Sequence, residues 1–251
     1  MLKSLPTLLS ALAAVITSVN CESIKASAVY WLLAGDSTTA PGGGWGDAFL
    51  STTVASGSSG HNYGKSGATT ASFRAGGIWD SVVSDINSHK SAYDVYVTIQ
   101  FGHNDQKETS GVTVAQYKAN LLRFAQETSN AGATPILLTP LTRRNFASST
   151  SNVTENLVEQ RAATIDVATA NNIKWIDLNI ASMNYVNTIK RDAASKYNLA
   201  SGDWTHLNEW GGVVFARIVS DLLVEKYGGI FESVTKPNAT LSALIKAGQP
   251  A

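Results

Sequence analysis

A short apolar run, VYWLLA from Val29, stops at Gly35-Asp36-Ser37 and sets a hydroxyl on a small turn directly after what reads as a buried strand. A serine needs a base to become a nucleophile, and the chain offers four histidines, His61, His89, His103 and His206. His89 lies in the polar stretch NSHKS and reads as a solvated surface residue; His61 precedes the NYGKSG turn and reads as structural. His103, beside Asn104 in a strand-end loop, reads as near a site without reacting. His206 differs, because it closes Asp203-Trp204-Thr205-His206 just before a helical pattern. That spacing lets one turn of loop bring the carboxylate against the imidazole, fixing its tautomer and stabilising the imidazolium formed when it takes a proton. Neither string is specific alone; the weight lies in their combination and their places in the chain.

Those places follow from an alternation of short β-branched runs with longer helical patterns. Strands are expected at 28–34, 94–101, 134–139 and 173–178, with a weaker one near 52–55. Ile78, Val82, Val83 and Ile86 recur at helical spacing, as do Val114, Tyr117, Leu121 and Phe124. Thr113 with Gln116 predicts a capping box for the second of these helices, and Gly132 sits past its end. Asn152 with Glu155 predicts another start, and a last strong helix is expected over 209–226. Strand and helix alternating at this spacing mean a central, mostly parallel sheet with helices on both faces, a doubly wound α/β fold. In such folds the crevice lies at the carboxyl ends of the strands. The turn at Ser37 and the loop Gly102-His103-Asn104-Asp105 therefore open on one edge. No internal repeat or linker divides the chain, so 27–251 is expected to be a single domain, with 228–251 a tail whose Leu241, Ala243, Leu244 and Ile245 suit a short docked helix.

Four separated blocks now stand in order: Gly35-Asp36-Ser37, Asn62-Tyr63-Gly64-Lys65-Ser66-Gly67, Gly102-His103-Asn104-Asp105 and Asp203-Trp204-Thr205-His206. In this the chain resembles the SGNH or GDSL-type hydrolases, and VYWLLAGDSTTA, FGHND and DWTH look most like their rhamnogalacturonan acetylesterase branch. The resemblance implies a three-layer, flavodoxin-like fold and a serine esterase that removes acetyl groups from a plant cell-wall polysaccharide, most like rhamnogalacturonan, through an acyl-enzyme. It implies Ser37 as nucleophile, His206 as base and Asp203 as its orienter. It also implies an oxyanion hole made of the N–H of Ser37, the N–H of Gly67 and the side-chain amide of Asn104. Gly64 lies in the same turn, and Gly67 is chosen because it closes the block. Asp36 and Asp105 are expected to hold the loops by accepting backbone hydrogen bonds. No cofactor or metal is implied; a divalent ion held by His103, Asp105, Asp203 and His206 is conceivable on residue types alone.

Substrate identity is written less clearly. The small residues Ala68, Thr69, Thr70 and Ala71 depart from the arginine-containing stretch of the resembled branch. Arg74, Arg143 and Arg144 are candidates for pairing with uronate carboxylates. Trp204, with Trp45, Leu141 and Phe146, could line a groove for sugar rings. Acetyl xylan or another short-chain ester is the alternative substrate, and a noncatalytic carbohydrate-binding protein the alternative of a different class.

The remaining composition bounds partners and compartment. Lys plus Arg and Asp plus Glu each number 19, so no overall field draws nucleic acid or an acidic membrane, and neither is expected as a partner. With 251 residues, 44% of them hydrophobic, the chain can bury a sizeable core, and a monomer is expected. The opening MLKSLPTLLSALAAVITSVNCES has Lys3, an apolar stretch over 5–19 and then small residues. It reads as a secretory signal peptide over 1–26, cleaved between 21 and 28, rather than a membrane anchor, since Pro6 and Ser10 interrupt it. Cleavage removes Cys21, the only cysteine, leaving no thiol nucleophile or disulfide in a secreted, extracellular product. Asn152 and Asn238 head Asn-X-Thr sequons and are candidate glycosylation sites.

Overall fold

The computed structural model describes Met1 and residues 28–251, so the expected signal peptide, with Cys21, lies outside the described residues beyond Met1. Five strands are formed, β1 (Val29–Gly35), β2 (Ser59–Asn62), β3 (Asp94–Gln100), β4 (Thr134–Leu138) and β5 (Lys174–Ile176). They pair in the order β2-β1-β3-β4-β5, every pair parallel. The order reverses direction between β1 and β3, and at such a switch point the connections leave a crevice beyond the strand ends. Register runs from Val29 opposite Asp94 to Gly35 opposite Gln100, so the two chains leave the sheet at the same level.

Alternation along β1 explains the layers. Trp31 and Leu33 enter one core with α1 (Gly46–Thr52), α6 (Leu178–Ala194), α7 (Glu209–Tyr227), α8 (Gly229–Val234) and α9 (Ala239–Lys246). Leu32 and Ala34 point oppositely, into a core closed by α2 (Thr70–Ala75), α3 (Ile78–His89), α4 (Val114–Asn130) and α5 (Val158–Ala170). The three-layer doubly wound expectation holds. So does the capping box: the Thr113 side chain accepts from the N–H of Gln116 and the Gln116 side chain from that of Thr113, worth about 1 kcal/mol to α4.

Two sequence expectations are corrected. The run near 52–55 is no strand: Thr52 ends α1, and Val54 makes one isolated antiparallel bridge to Thr235. The true neighbour of β1 is the polar β2, whose backbone supplies the pairing while its alternate side chains face water. Asn152 does not start a helix, because Val153 is held in a bridge to Phe146 and by the Asn187 side chain (2.8 Å); α5 begins after Leu157. In the tail the expected docked helix forms as α9 and packs on α7, and Gly228 turns the chain into the further helix α8 before it.

At the far edge the hydroxyl of Tyr227 accepts from the N–H of Trp175 (2.7 Å) and donates to its carbonyl (2.9 Å), occupying the outer side of β5. Among the described residues no helix is long and apolar enough to cross a membrane.

Candidate active site

The first loop is shaped by what cannot fit at its start. A Cβ on Gly35 would stand 2.3 Å from Thr39 Oγ1 and 2.8 Å from the carbonyl of Gln100, so only glycine lets β1 turn here. The turn closes with Thr39 N–H and Ala40 N–H donating to the carbonyl of Asp36 (3.1 and 3.0 Å). Oδ1 of Asp36 accepts from the N–H and hydroxyl of Thr38 (2.9 and 2.8 Å), and Oδ2 faces Nδ1 of His103 at 3.4 Å. Burial pushes this carboxyl up, but the His103 ring and the Thr38 bonds outweigh it and hold Asp36 below the usual carboxylate range. The result is a stiff turn presenting Ser37.

The second loop arrives before α7. Oδ1 of Asp203 accepts the N–H of Thr205 (3.0 Å) and of His206 (2.9 Å), while Oδ2 lies 2.9 Å from Nδ1 of His206. A carboxylate can only accept, so Nδ1 carries the proton and Nε2 is left as an acceptor. That Nε2 is 2.9 Å from Oγ of Ser37. Burial works to raise the Asp203 carboxyl, yet the backbone of His206, its ring and the N–H of Thr205 hold it below the ordinary range. The two loops are stitched together where Leu207 N–H donates to the carbonyl of Gly43 (2.8 Å).

The other two blocks meet beside them. Lys65 N–H donates to the carbonyl of Gly35 (3.0 Å), laying the second block along the first. Asn104, after β3, donates from Nδ2 to the carbonyl of Ala68 (2.9 Å) and accepts at Oδ1 from Lys107 Nζ (2.8 Å). Lys107 thereby fixes which end of the amide is the donor, and one N–H remains unspent. Gly67, the residue before Ala68, is exposed at φ +77°, with nothing near the place of a Cβ. Among the described residues the N–H groups of Ser37 and Gly67 donate to no other protein group. Behind this loop Oδ1 of Asp105 accepts the N–H and hydroxyl of Thr70 (2.8 and 2.6 Å), anchoring the start of α2. Burial raises the Asp105 carboxyl, with the charge of Asp36 adding to it against the Thr70 bonds. Asp36 and Asp105 thus accept loop N–H groups, as their sequence positions suggest.

Several expected residues are placed elsewhere. Arg74 is bound to Glu127 (2.9 Å) with its guanidinium over the Phe124 ring (4.9 Å), among side chains of α3 and α4 rather than at Ser37. Arg144 is fully buried and offers a substrate nothing. Trp45 and Leu141 are core residues, and the indole of Trp45 donates to Gln100 (2.7 Å). Trp204 stays half-buried with Arg191 over its ring (5.5 Å). Arg143, also half-buried, donates to the carbonyl of His103 (3.3 Å) and to Asn156 (3.1 Å), and so remains against the strand-end loop. His89 is not simply solvated: it pairs with Asp85 (2.8 Å) and stacks on Tyr30 (3.7 Å). The four residues of the conceivable metal set are divided, His206 with Asp203, His103 with Asp36, and Asp105 with Thr70. Asn152 and Asn238 are both exposed, and Asn238 caps α9. Lys107 was not legible as a site residue, and Arg144 was legible only as a substrate contact, which its burial rules out; no motif marks a lysine that pins an amide or an arginine swallowed by a loop.

Comparison with known proteins places this geometry. The GDSL-like lipase/acylhydrolase family matches residues 33–212. Over 121 residues the chain is 36% identical to the rhamnogalacturonan acetylesterase RhgT of Bacillus subtilis (strain 168), which covers 45% of this chain and 50% of that protein. The Bacillus subtilis protein YXIM shares the fold with a TM-score of 0.68 at 22% identity, over 81% of this chain and 58% of that one. An acetylxylan esterase from Geobacillus stearothermophilus does so with a TM-score of 0.56 at 19% identity, over 83% and 98%. The match thus spans about half the length of the curated relative. With all four blocks inside the matched stretch, the chain belongs to the GDSL-like lipase/acylhydrolase family.

Proposed function

We propose that this chain is a secreted esterase that removes acetyl groups from rhamnogalacturonan, with Ser37 as nucleophile, His206 as general base and acid, and Asp203 as the group that orients it. The observation that carries the reading is the unbroken hydrogen-bonded series from Asp203 through His206 to Ser37, 2.9 Å at each step. Ser37 Oγ attacks the acetyl carbonyl carbon as its proton passes to Nε2 of His206. The oxyanion so formed is met by the free N–H groups of Ser37 and Gly67 and the unspent N–H of Asn104. Collapse breaks the bond to the sugar oxygen, which takes the proton from His206, and leaves acetyl-Ser37. Water then attacks the acetyl carbon, giving its proton to His206, and acetate leaves as Ser37 regains its hydrogen.

The polysaccharide assignment is supported by the likeness to a rhamnogalacturonan acetylesterase, and by Arg143, a half-buried guanidinium against the Asn104 loop whose planar fork suits a uronate carboxylate. Secretion rests on the signal-peptide reading of 1–26. Acetate release from acetylated rhamnogalacturonan and acetylated xylan, measured side by side with Ser37→Ala as control, tests the assignment. Release from the pectic polymer that the variant lacks supports it. Release biased to xylan keeps the mechanism and discards the specificity, while none from either polymer or from small esters returns the chain to a carbohydrate-binding role.

A further inference from the structure

Loop 199–206 closes on itself: Asn198 bridges Leu207, Leu199 N–H donates to the carbonyl of His206 (3.0 Å), and Asn208 N–H to that of Tyr197 (3.0 Å). Such a closure turns the carbonyls between Trp204 and His206 toward the protein, where each needs a donor. One residue donates to all three, joining Leu199 at the carbonyl of His206. The backbone N–H of Arg144 donates to the carbonyl of Trp204 (2.7 Å), Nη1 to that of Thr205 (3.5 Å) and Nη2 to that of His206 (2.6 Å). Nε donates to Oδ1 of Asn198 (2.8 Å) at the loop neck, and the guanidinium lies over the ring of Phe215 on α7 (5.9 Å).

We infer that Arg144 is a positioning residue for the base: its fork sets the backbone of Thr205 and His206, and through it the direction in which the imidazole meets Ser37. The inference rests on the esterase reading and goes beyond it. An arginine suits this task because its donors are fixed in one plane, so one side chain reaches the neck and two successive carbonyls at once; a lysine ammonium has no such spread. Its charge is retained at neutral pH, since burial lowers the guanidinium only to about 10, with Asp203 opposing. A residue that only held the fold would, when replaced, lower the melting temperature and the share of active molecules but not the turnover of those that remain. A residue that aims His206 alters turnover itself, because small displacements of catalytic groups cost about 100-fold.

The test is kcat per active site, with active sites counted by fluorophosphonate titration, on p-nitrophenyl acetate for the wild type, Arg144→Lys, Arg144→Met and Asn198→Ala. Arg144→Lys is expected to lose roughly 10- to 100-fold in kcat with KM within about twofold, and to be captured by the fluorophosphonate more slowly in proportion. Asn198→Ala, which frees Nε while leaving the charge in place, is expected to lose less with the same constancy of KM. A folded Arg144→Lys with kcat within about twofold of wild type overturns the inference. Should both arginine variants fail to fold, an unchanged kcat in Asn198→Ala overturns it and a lowered one upholds it. A wild type that neither hydrolyses the ester nor reacts with the fluorophosphonate rejects the esterase reading itself.

Discussion

The hydroxyl of Ser37 lies 2.9 Å from Nε2 of His206 although 169 positions separate the two in the chain. The sheet makes this possible: β1 delivers one residue at its carboxyl end, and the loop before α7 returns the other to the same edge, where Leu207 is tied to Gly43.

Asp203→Asn keeps the shape and one acceptor oxygen for Thr205 and His206 but turns an amide toward Nδ1. The imidazole then loses its charged partner and favours the wrong tautomer. A fall in kcat on the order of 10⁴-fold with little change in KM is expected from steady-state kinetics, with the far-UV spectrum unchanged.

Asn104→Ala removes the only side-chain donor among the three groups assigned to the oxyanion. The expected loss is about 10²- to 10³-fold in kcat, and a loss under about tenfold would remove Asn104 from that role. Asn104→Asp, which replaces the donor with a negative acceptor, is expected to lose at least as much.

The two buried carboxylates behind the loops respond oppositely to acid. Asp36 is held below its ordinary value, so its contribution to stability is present above the unfolded range near 3.9 and is lost as pH falls through the folded value. Denaturant unfolding of wild type and Asp36→Asn should therefore show a gap that is steady near neutrality and narrows below about pH 4. Asp105 is raised, so its contribution is present below that range and is lost as pH rises through the folded value. The gap for Asp105→Asn should widen on acidification.

Gly35→Ala places a methyl group against Thr39 and the backbone of Gln100 in the central strand pair. The carbonyl cannot swing aside as a side chain could, so β1 and β3 must part. A cost of about 1–3 kcal/mol is expected from the unfolding midpoint, with a fall in kcat as Ser37 shifts.

The strands most deeply buried were the most legible, since β1, β3 and β4 are runs of large apolar residues and α4 carries a local capping signal in Thr113 and Gln116. β2 was missed because SGHN is an edge strand held by backbone pairing, with no apolar alternation to betray it. The start of α5 was misplaced because Asn152 has a side chain fit to cap a helix, whereas Val153 is claimed by Asn187, a contact made across the fold. Asp203 beside His206 was legible from a three-residue spacing, whereas their meeting with Ser37, 169 positions away, was implied only by the resemblance carried by the four ordered blocks. The places of the arginines were not legible, because Arg74, Arg143 and Arg144 share one chemistry and only the fold decides which is paired, half-exposed or swallowed.

The hydroxyl of Tyr227 on the outer edge of β5 has a consequence for the molecule in a crowded solution. A short parallel sheet ends in unpaired N–H and C=O groups, and these invite a strand from another chain. Here Trp175, at the middle of β5, has both groups taken by one phenol, with the ammonium of Lys226 seated on its ring and that of Lys174 over Tyr227. An approaching strand would have to displace the phenol and bring its own backbone against two positive charges. The last residue of α7 thus closes the middle of this sheet edge to backbone pairing.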